Sequence, residues 1–281
     1  MTRIPIVMVL SAVVATLPAH AQETVAPELR GRPADRPDEW EVSLRGALIL
    51  TPSWTGSDDM SLSLVPDIRV TYGDEIFASI PEGLGWNAIK GDGWKIGPLA
   101  KIRFGRDEDD GGSPFLIAGG SDDLQGMGDI DPSAELGGFV EKSFGPRSEW
   151  TARVEVLKGF GGHDGAVGYG SLDYRTRLGN TIVSFGPRIN IVSGDFMDTY
   201  YGIDAQQSAD TGLAPYRAEG GILSYGVGAN AVQPLNRRSA ITVFAVAEDL
   251  GSEARRSPLV EERGQRLQFA LGVGYGYRFG L

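Results

Sequence analysis

The chain has 281 residues, a formal net charge of −11, 40 glycines and no cysteine. The lack of cysteine excludes a disulfide framework and a thiolate metal site, and the negative charge argues against nucleic acid, whose phosphates require a basic surface. Glycine is about twice as frequent as the usual ~7%, and with 16 prolines it favours a turn-rich all-β chain over a helical one.

The first 21 residues have the features of a cleaved signal peptide. Arg3 supplies a positive charge, an apolar stretch follows from Ile4 to Leu17, and Ala19-His20-Ala21 matches the small-x-small cleavage rule. The apolar stretch is shorter than the ~20 residues of a spanning helix. We therefore predict a signal peptide over residues 1–21, rather than a single membrane anchor, and an exported mature chain.

Residues 22–39 contain three prolines, many charges and little apolar mass, which predicts a flexible periplasmic N-terminal segment. After Ala21 no apolar stretch reaches the length of a spanning helix. A membrane role would therefore require strands closed into a barrel, the only other spanning form that satisfies every backbone polar group.

From Trp40 onward, apolar and polar side chains alternate with a period of two, as in strands with two unlike faces. The last segment shows this most clearly. Its apolar face consists of Leu267, Phe269, Leu271, Val273, Tyr275, Tyr277 and Phe279. A run of about thirteen residues with aromatic side chains at its end fits a lipid-facing strand better than a strand of a soluble sandwich, which usually has ~5–6 residues.

The alternation predicts about twelve strands, with ten as the alternative because the third and fourth are short. They lie near residues 40–50, 62–72, 75–80, 84–90, 94–104, 131–144, 149–158, 166–178, 181–192, 220–232, 239–250 and 266–279. The polar faces carry charges of both signs, which could pair inside a lumen. These charges are Asp67, Arg69, Lys101, Arg103, Glu135, Glu141, Arg153, Glu155, Asp173, Arg175 and Arg188.

Alternation alone would also allow a soluble sandwich, but the connection lengths favour a barrel. The connections at one end are short turns, whereas residues 105–130, 193–219 and 251–265 form long polar loops at the other. Bacterial outer-membrane barrels show this asymmetry and an even number of strands. We therefore predict an all-β fold, a transmembrane antiparallel up-and-down β-barrel over residues 40–281, with short periplasmic turns and long extracellular loops.

Few residues could support catalysis or bind a cofactor. His163, the one histidine outside the signal peptide, lies in a glycine-rich segment and is predicted to be solvated. The acidic runs Asp107–Asp110 and Asp122-Asp123 are predicted to be solvated, with calcium binding as the less favoured alternative. The Gly-x-Gly spacings lie in a loop or a strand, not before a helix, which excludes a nucleotide site. We predict no enzyme and no catalytic, cofactor-binding or metal site.

Several segments resemble the MipA/OmpV family of outer-membrane scaffolding proteins. Leu124–Asp131 (LQGMGDID), followed by Glu135-Leu136-Gly137, resembles the family's glycine-bounded loop motif, and Tyr200–Asp204 resembles its later loop. The matching loop positions are Gly126, Gly128, Asp129 and Asp131, and the aromatic positions of the closing strand, which carry its barrel-assembly signal, are Tyr275, Tyr277 and Phe279. One departure is that Gly280-Leu281 follow the aromatic end, which closes the chain in the family.

The resemblance implies a structural role and no catalysed reaction, because the family has no catalytic residues that could be assigned to this chain. The leading hypothesis is a non-enzymatic scaffold in the outer membrane that links a murein lytic transglycosylase to a penicillin-binding protein and contacts outer-membrane lipid and lipopolysaccharide. The first alternative is a small pore or uptake channel through a charged lumen. The second, a lipid-modifying enzyme, is disfavoured by the scarcity of histidine.

Overall fold

The computed structural model describes residues 39–111 and 115–280, so the predicted signal peptide and nearly all of the predicted N-terminal segment lie outside the described residues. Within them are strands and short helices. The strands are β1 (Trp40–Pro52), β2 (Met60–Tyr72), β3 (Ile76–Ser79), β4 (Gly83–Trp86), β5 (Ile89–Gly91), β6 (Trp94–Arg103), β7 (Leu116–Gly119), β8 (Ser133–Phe144), β9 (Trp150–Gly161), β10 (Ala166–Leu178), β11 (Thr181–Val192), β12 (Gly221–Pro234), β13 (Ser239–Leu250) and β14 (Leu267–Gly280). The helices are α1 (Gly194–Tyr201), α2 (Ala205–Thr211), α3 (Ser252–Arg255) and α4 (Pro258–Arg263). None of the helices in the described part of the chain is long and apolar enough to cross a membrane.

Twelve strand positions form a closed antiparallel ring. Sequence neighbours pair around the ring, and β1 closes it by pairing with both β2 and β14. β4 pairs with the middle of β6 and β5 with its beginning, so these two short strands share one position in the wall. β7 lies outside the ring and pairs with the start of β2. The predicted twelve-stranded barrel is confirmed, and the ten-stranded alternative is wrong.

The predicted strand at residues 84–90 is interrupted for a tertiary reason. Asn87 donates its backbone N–H to the Glu75 carbonyl at 2.7 Å and its Nδ2 to the Asp74 carbonyl at 2.8 Å. The Trp86 carbonyl turns toward Gly97, where a Cβ would lie only 1.6 Å from its oxygen. The chain thus leaves the wall between β4 and β5 because it bonds to the neighbouring turn instead of to β6.

The alternation places large apolar side chains on the outside of the barrel. In β1, Leu44 and Leu48 are exposed, whereas Ala47 and Ile49 point inward and are buried. The same outward exposure recurs around the ring at Ile68, Ile102, Leu136, Val154, Phe185, Val227, Val243 and Phe269. Hydrocarbon covers such a surface in a membrane barrel, so this exposure requires no second sheet.

Glycines on the inner face make room for aromatic rings, as the position of Gly272 in β14 indicates. Gly272 lies opposite Phe244 of β13, and a Cβ at Gly272 would lie 2.1 Å from the Phe244 ring. Phe244 is 2% exposed and belongs to an inner apolar cluster with Ile49 and Val65. The Gly-x-Gly spacing of β14 therefore serves packing inside the barrel.

Both described ends of the chain lie at the end of the barrel with the short turns, since Glu41 pairs with Gly280. At the opposite end, the connections after β6, β11 and β13 are long and contain β7 and all four helices. These helices were not predicted. We refer below to the two ends as the short-turn end and the long-loop end.

Candidate functional site: the charged lumen and its cap

The inner face of the barrel holds charged side chains in ion pairs, as the sequence predicted. The Arg45 Nη2 atom lies 2.6 Å from Asp67 Oδ2, and the Arg69 Nε atom lies 2.9 Å from Glu82 Oε1. Glu82 belongs to the turn between β3 and β4, and its burial shows that this turn folds into the lumen. The sequence analysis missed Glu82 because this inward fold is a tertiary feature.

A second cluster of charges links β6, β8 and β9. Lys101 Nζ and Arg153 Nε each lie within 2.7 Å of a Glu155 carboxylate oxygen, and Arg153 Nη1 lies 2.9 Å from Glu141 Oε2. The Arg153 guanidinium carbon also lies 4.1 Å from the centroid of the Phe139 ring. These contacts line this part of the lumen with paired charges and an aromatic ring.

A third ion pair joins β11 and β13, the two strands that flank β12. Arg188 Nε of β11 lies 4.0 Å from Glu248 Oε1 of β13, and Ser224 of β12 donates its hydroxyl to Glu248 at 2.8 Å. The sequence analysis also missed Glu248, which lies on the inward face of β13 together with Phe244 and Val246. The alternation of side chains along β13 could have predicted this inward position.

The prediction that His163 is solvated is wrong. Its side chain is fully buried, with Nε2 at 3.1 Å from Glu135 Oε1 and Nδ1 accepting the Gly165 N–H at 3.2 Å. Because Nδ1 is an acceptor, the hydrogen-bond pattern assigns the ring proton to Nε2. The connection between β9 and β10 has only four residues and turns inward. Glycine at position 159 leaves room for the imidazole, since a Cβ there would lie 2.1 Å from the ring.

The Glu135 carboxylate contacts two side chains, Arg103 and His163. Arg103 Nε lies 2.6 Å from Glu135 Oε1, the same oxygen that His163 contacts. The Arg103 guanidinium carbon and the His163 ring lie 5.1 Å and 4.9 Å from the centroid of Phe196 in α1. The arrangement therefore joins the barrel wall to the long loops, and the Ser133 hydroxyl accepts the backbone N–H of His163 at 2.8 Å.

The long loops form a cap with an apolar core over the long-loop end. The prediction that they are simply polar is wrong. The buried core of the cap includes Trp54, Leu124, Met127, Phe196, Met197, Tyr200, Tyr201, Ile203, Leu213, Leu259 and Val260. Burial of this many large side chains indicates an ordered lid, since fully burying each contributes about 1.5–3 kcal/mol.

The loop motif is held by a carboxylate. Gly126 and Gly128 have φ angles of +84° and +74°, and both donate their N–H groups to Glu108 Oε2, at 3.0 and 2.9 Å. The Asp129 carboxylate accepts the Glu108 N–H at 3.0 Å, whereas Asp131 is exposed. Positive φ favours glycine at both positions. The motif thus shapes a turn that carries Met127 into the cap core.

The later loop segment is built into the same cap. The Tyr200 carbonyl accepts a hydrogen bond from Arg106 Nη1 at 2.6 Å, and the Tyr201 carbonyl accepts one from the Ser257 hydroxyl at 2.7 Å. Asp204 caps α2 and forms a reciprocal pair of hydrogen bonds with Gln207. Both family-like loops thus contribute side chains to the buried core of the cap.

Three acidic side chains, Asp58, Asp59 and Asp123, gather on the outside of the cap. Their carboxylates offer oxygens within 4.8 Å of one another. Burial raises the pKa of the Asp123 carboxyl, the nearby Asp59 and Asp58 raise it further, and a hydrogen bond from Ser121 partly offsets this. Exposed acidic groups of this kind are common without a cation, so the expectation of no metal site stays a prediction.

Comparison with known proteins gives a family match over most of the chain. A family model described as MltA-interacting protein MipA matches residues 45–279. YiaT, named as an outer membrane protein of Escherichia coli (strain K12), is 28% identical over 116 residues, which cover 41% of this chain and 46% of YiaT. The matched region thus spans about half the length of this curated relative.

Among solved structures, the chain is similar to an outer-membrane channel from Pseudomonas putida F1 and to OprB of Pseudomonas putida. The first has 12% identity and a TM-score of 0.42, over 89% of this chain and 100% of the channel. The second has 10% identity and a TM-score of 0.38, over 78% of this chain and 59% of OprB.

Proposed function

The chain belongs to the MipA family and is a β-barrel protein of the outer membrane, and from that premise we propose that it is a scaffold that binds murein enzymes and catalyses no reaction itself. The description of the family, MltA-interacting protein, supports a murein lytic transglycosylase as one partner. A penicillin-binding protein is the second partner we propose, and lipid and lipopolysaccharide surround the barrel.

The lining of the lumen is the observation that supports a scaffold over a pore. Ion pairs join nearby strands on the inner face, as between Lys101 and Glu155 and between Arg188 and Glu248. Leu99, Phe139 and Leu157 form a buried apolar cluster, and the cap covers the long-loop end. A water path would have to separate buried charge pairs from their partners, which is costly in a low-dielectric interior. The protein therefore acts through its surfaces.

We expect no steady ion conductance when the purified barrel is inserted into a planar lipid bilayer. The physical reason is that paired charges and apolar side chains line the lumen, and an ion would have to disrupt these pairs to pass. A porin inserted into the same membrane serves as the control for insertion and detection. A reproducible open conductance would instead favour the small-pore alternative.

The short-turn end supplies the surface that we assign to the murein partner. Short turns of outer-membrane barrels face the periplasm, where murein enzymes act. Arg177 is exposed there at the end of β10, and Arg237 is exposed in the turn between β12 and β13. A hydrogen bond between Thr181 of β11 and Gln233 of β12 lies at the same end. Among the described residues neither arginine forms an ion pair, so both can meet an acidic surface of a partner.

Site-specific photo-crosslinking in intact cells tests this assignment. A crosslinker at Asn180 or Asn236 is expected to capture a murein lytic transglycosylase, identified by mass spectrometry. The double variant Arg177→Glu/Arg237→Glu should lose most of this product, because it reverses two exposed charges on the proposed surface.

A matched control reverses the charge of two other arginines, at the opposite end of the barrel. Arg217 and Arg255 are exposed on the long loops, so Arg217→Glu/Arg255→Glu alters the net charge equally without touching the short turns. This variant should crosslink like the unaltered protein. Capture of no murein enzyme at either turn, with the barrel correctly inserted, would contradict the scaffold proposal.

A further inference from the structure

A cleft in the cap is lined by an arginine and three aromatic residues. It is lined by Trp54, Thr55, Gly105, Arg106, Gly111, Tyr200 and Tyr201 and is partly open to solvent. It lies at the long-loop end, away from the surface assigned to the murein partner. The role of this cleft is independent of the scaffold proposal.

Arg106 is a buried cation without a carboxylate partner among the described residues. It is 7% exposed, its Nη1 donates to the Tyr200 carbonyl, and its Nε has no hydrogen-bond partner. By contrast, the buried Arg69, Arg103 and Arg153 each lie within 2.9 Å of a glutamate oxygen. Burial lowers the pKa of the Arg106 guanidinium to about 10, which leaves it charged at neutral pH.

Trp54 also lines the cleft and carries a second unsatisfied donor. Its side chain is 2% exposed, and its indole N–H has no hydrogen-bond partner. A buried donor without an acceptor is destabilising, and a buried charge without a counter-charge is more so. A water molecule could accept a hydrogen bond from either donor, but it would leave the charge of Arg106 uncompensated.

Two glycines beside the cleft allow backbone segments to pack closely there. A Cβ at Gly105 would lie 1.6 Å from the Ile130 oxygen, and one at Gly111, where φ is +89°, would lie 2.3 Å from the Ser53 oxygen. The Arg106 backbone is held by two hydrogen bonds to Ile130, which lies within the loop motif. The cationic group is thus positioned by the family-like loop.

We propose that this cleft binds an oxyanion, a phosphate or carboxylate group, with Arg106 and Trp54 as the donors. The guanidinium fork suits both kinds of group, and an oxyanion accepts hydrogen bonds while it supplies the missing negative charge. The rings of Trp54, Tyr200 and Tyr201 offer apolar contact to the carbon atoms of an organic anion. The group can come from a lipopolysaccharide headgroup or from a free small anion.

Binding is tested on the full-length mature protein in detergent micelles free of lipopolysaccharide. Inorganic phosphate and acetate are titrated by calorimetry and by thermal unfolding, with sodium chloride at equal ionic strength as the reference. We expect saturable binding and a raised Tm for at least one of the two anions. No saturable effect of either anion would overturn the proposal and leave a cleft that holds only water.

Two variants test the donors. Arg106→Leu should weaken anion binding at least about tenfold, and Trp54→Phe several-fold, since each removes one donor to a charged ligand. Arg255→Gln, an exposed arginine of α3 outside the cleft, is the matched control and should bind normally. Unchanged affinity in Arg106→Leu would overturn the assignment.

A last comparison distinguishes the two sources of the anion. Micelles that contain intact lipopolysaccharide should raise the Tm more than micelles with dephosphorylated lipopolysaccharide if the headgroup is the ligand, and free phosphate should compete with this effect. An effect of free phosphate or acetate alone would identify a free anion. Both results support the oxyanion site.

Discussion

Replacing Glu135 by alanine is expected to lower the free energy of unfolding by about 3–5 kcal/mol, the usual loss when one partner of a buried ion pair is removed. One carboxylate oxygen of Glu135 contacts both Arg103, at 2.6 Å, and His163, at 3.1 Å. All three side chains are buried, so water cannot replace the lost carboxylate without entering the lumen. Urea unfolding in detergent micelles measures the change.

Three further variants separate the charge from the volume of Glu135. Glu135→Gln keeps an acceptor for His163 and should lose less stability than the alanine variant. The double variant Arg103→Met/Glu135→Leu removes both charges and should recover part of the loss. Glu261→Ala in α4, where the side chain is exposed, should stay within about 0.5 kcal/mol. A Glu135→Ala protein as stable as this control would show that the shared carboxylate contributes nothing.

Deleting residues 277–281 is expected to abolish insertion of the barrel into the membrane. The deletion removes the pairs Leu44–Tyr277 and Val42–Phe279, and with them the closure of the ring at the short-turn end. Unpaired backbone groups cost several kcal/mol each in hydrocarbon, so an open edge is not tolerated there. Membrane fractionation, with mobility of unheated samples on SDS gels, reports insertion and folding.

The departure at the end of the chain provides the control for this deletion. Removing only Gly280-Leu281 places Phe279 at the chain end and leaves the aromatic positions Tyr275 and Tyr277 in their pairs. This shorter protein should insert normally. If the larger deletion also inserted normally, the predicted assembly role of the aromatic residues would be wrong.

The barrel could be predicted from the sequence because each long strand lies between two unlike surroundings. Hydrocarbon selects Leu44 or Val154 on one face, and the lumen selects Arg45 or Arg153 on the other, so a period of two appears in the sequence itself. The inward positions of charged side chains such as Arg103 and Glu135 could be predicted directly from this alternation.

Features that depend on distant contacts could not be predicted in the same way. The break after Trp86 depends on bonds from Asn87 to a neighbouring turn, and β7 is a four-residue strand inside a long loop. The inward position of Glu82 depends on Arg69, to which it is hydrogen bonded. Neither the break nor this inward turn has a local sequence signal.

Helix α1 is a different case, because a local signal was present. Phe196, Met197, Tyr200 and Tyr201 are buried on one side of the helix, with the spacing that an amphipathic helix requires. The high content of aspartate and glycine around them favoured a polar loop instead. The apolar spacing was the stronger indicator, because it also accounts for the packing of the helix against His163.

The pairing of β1 with β14 also governs how the barrel can form in time. Arg278 and Glu41 meet across this seam although they are 237 residues apart in the chain. Contacts between such distant residues form slowly, because the entropy of closing the whole loop is lost before the contact contributes. Until the last segment arrives, the growing sheet has two free edges that can pair with other chains. Export of this protein therefore requires that both edges be shielded between synthesis and closure.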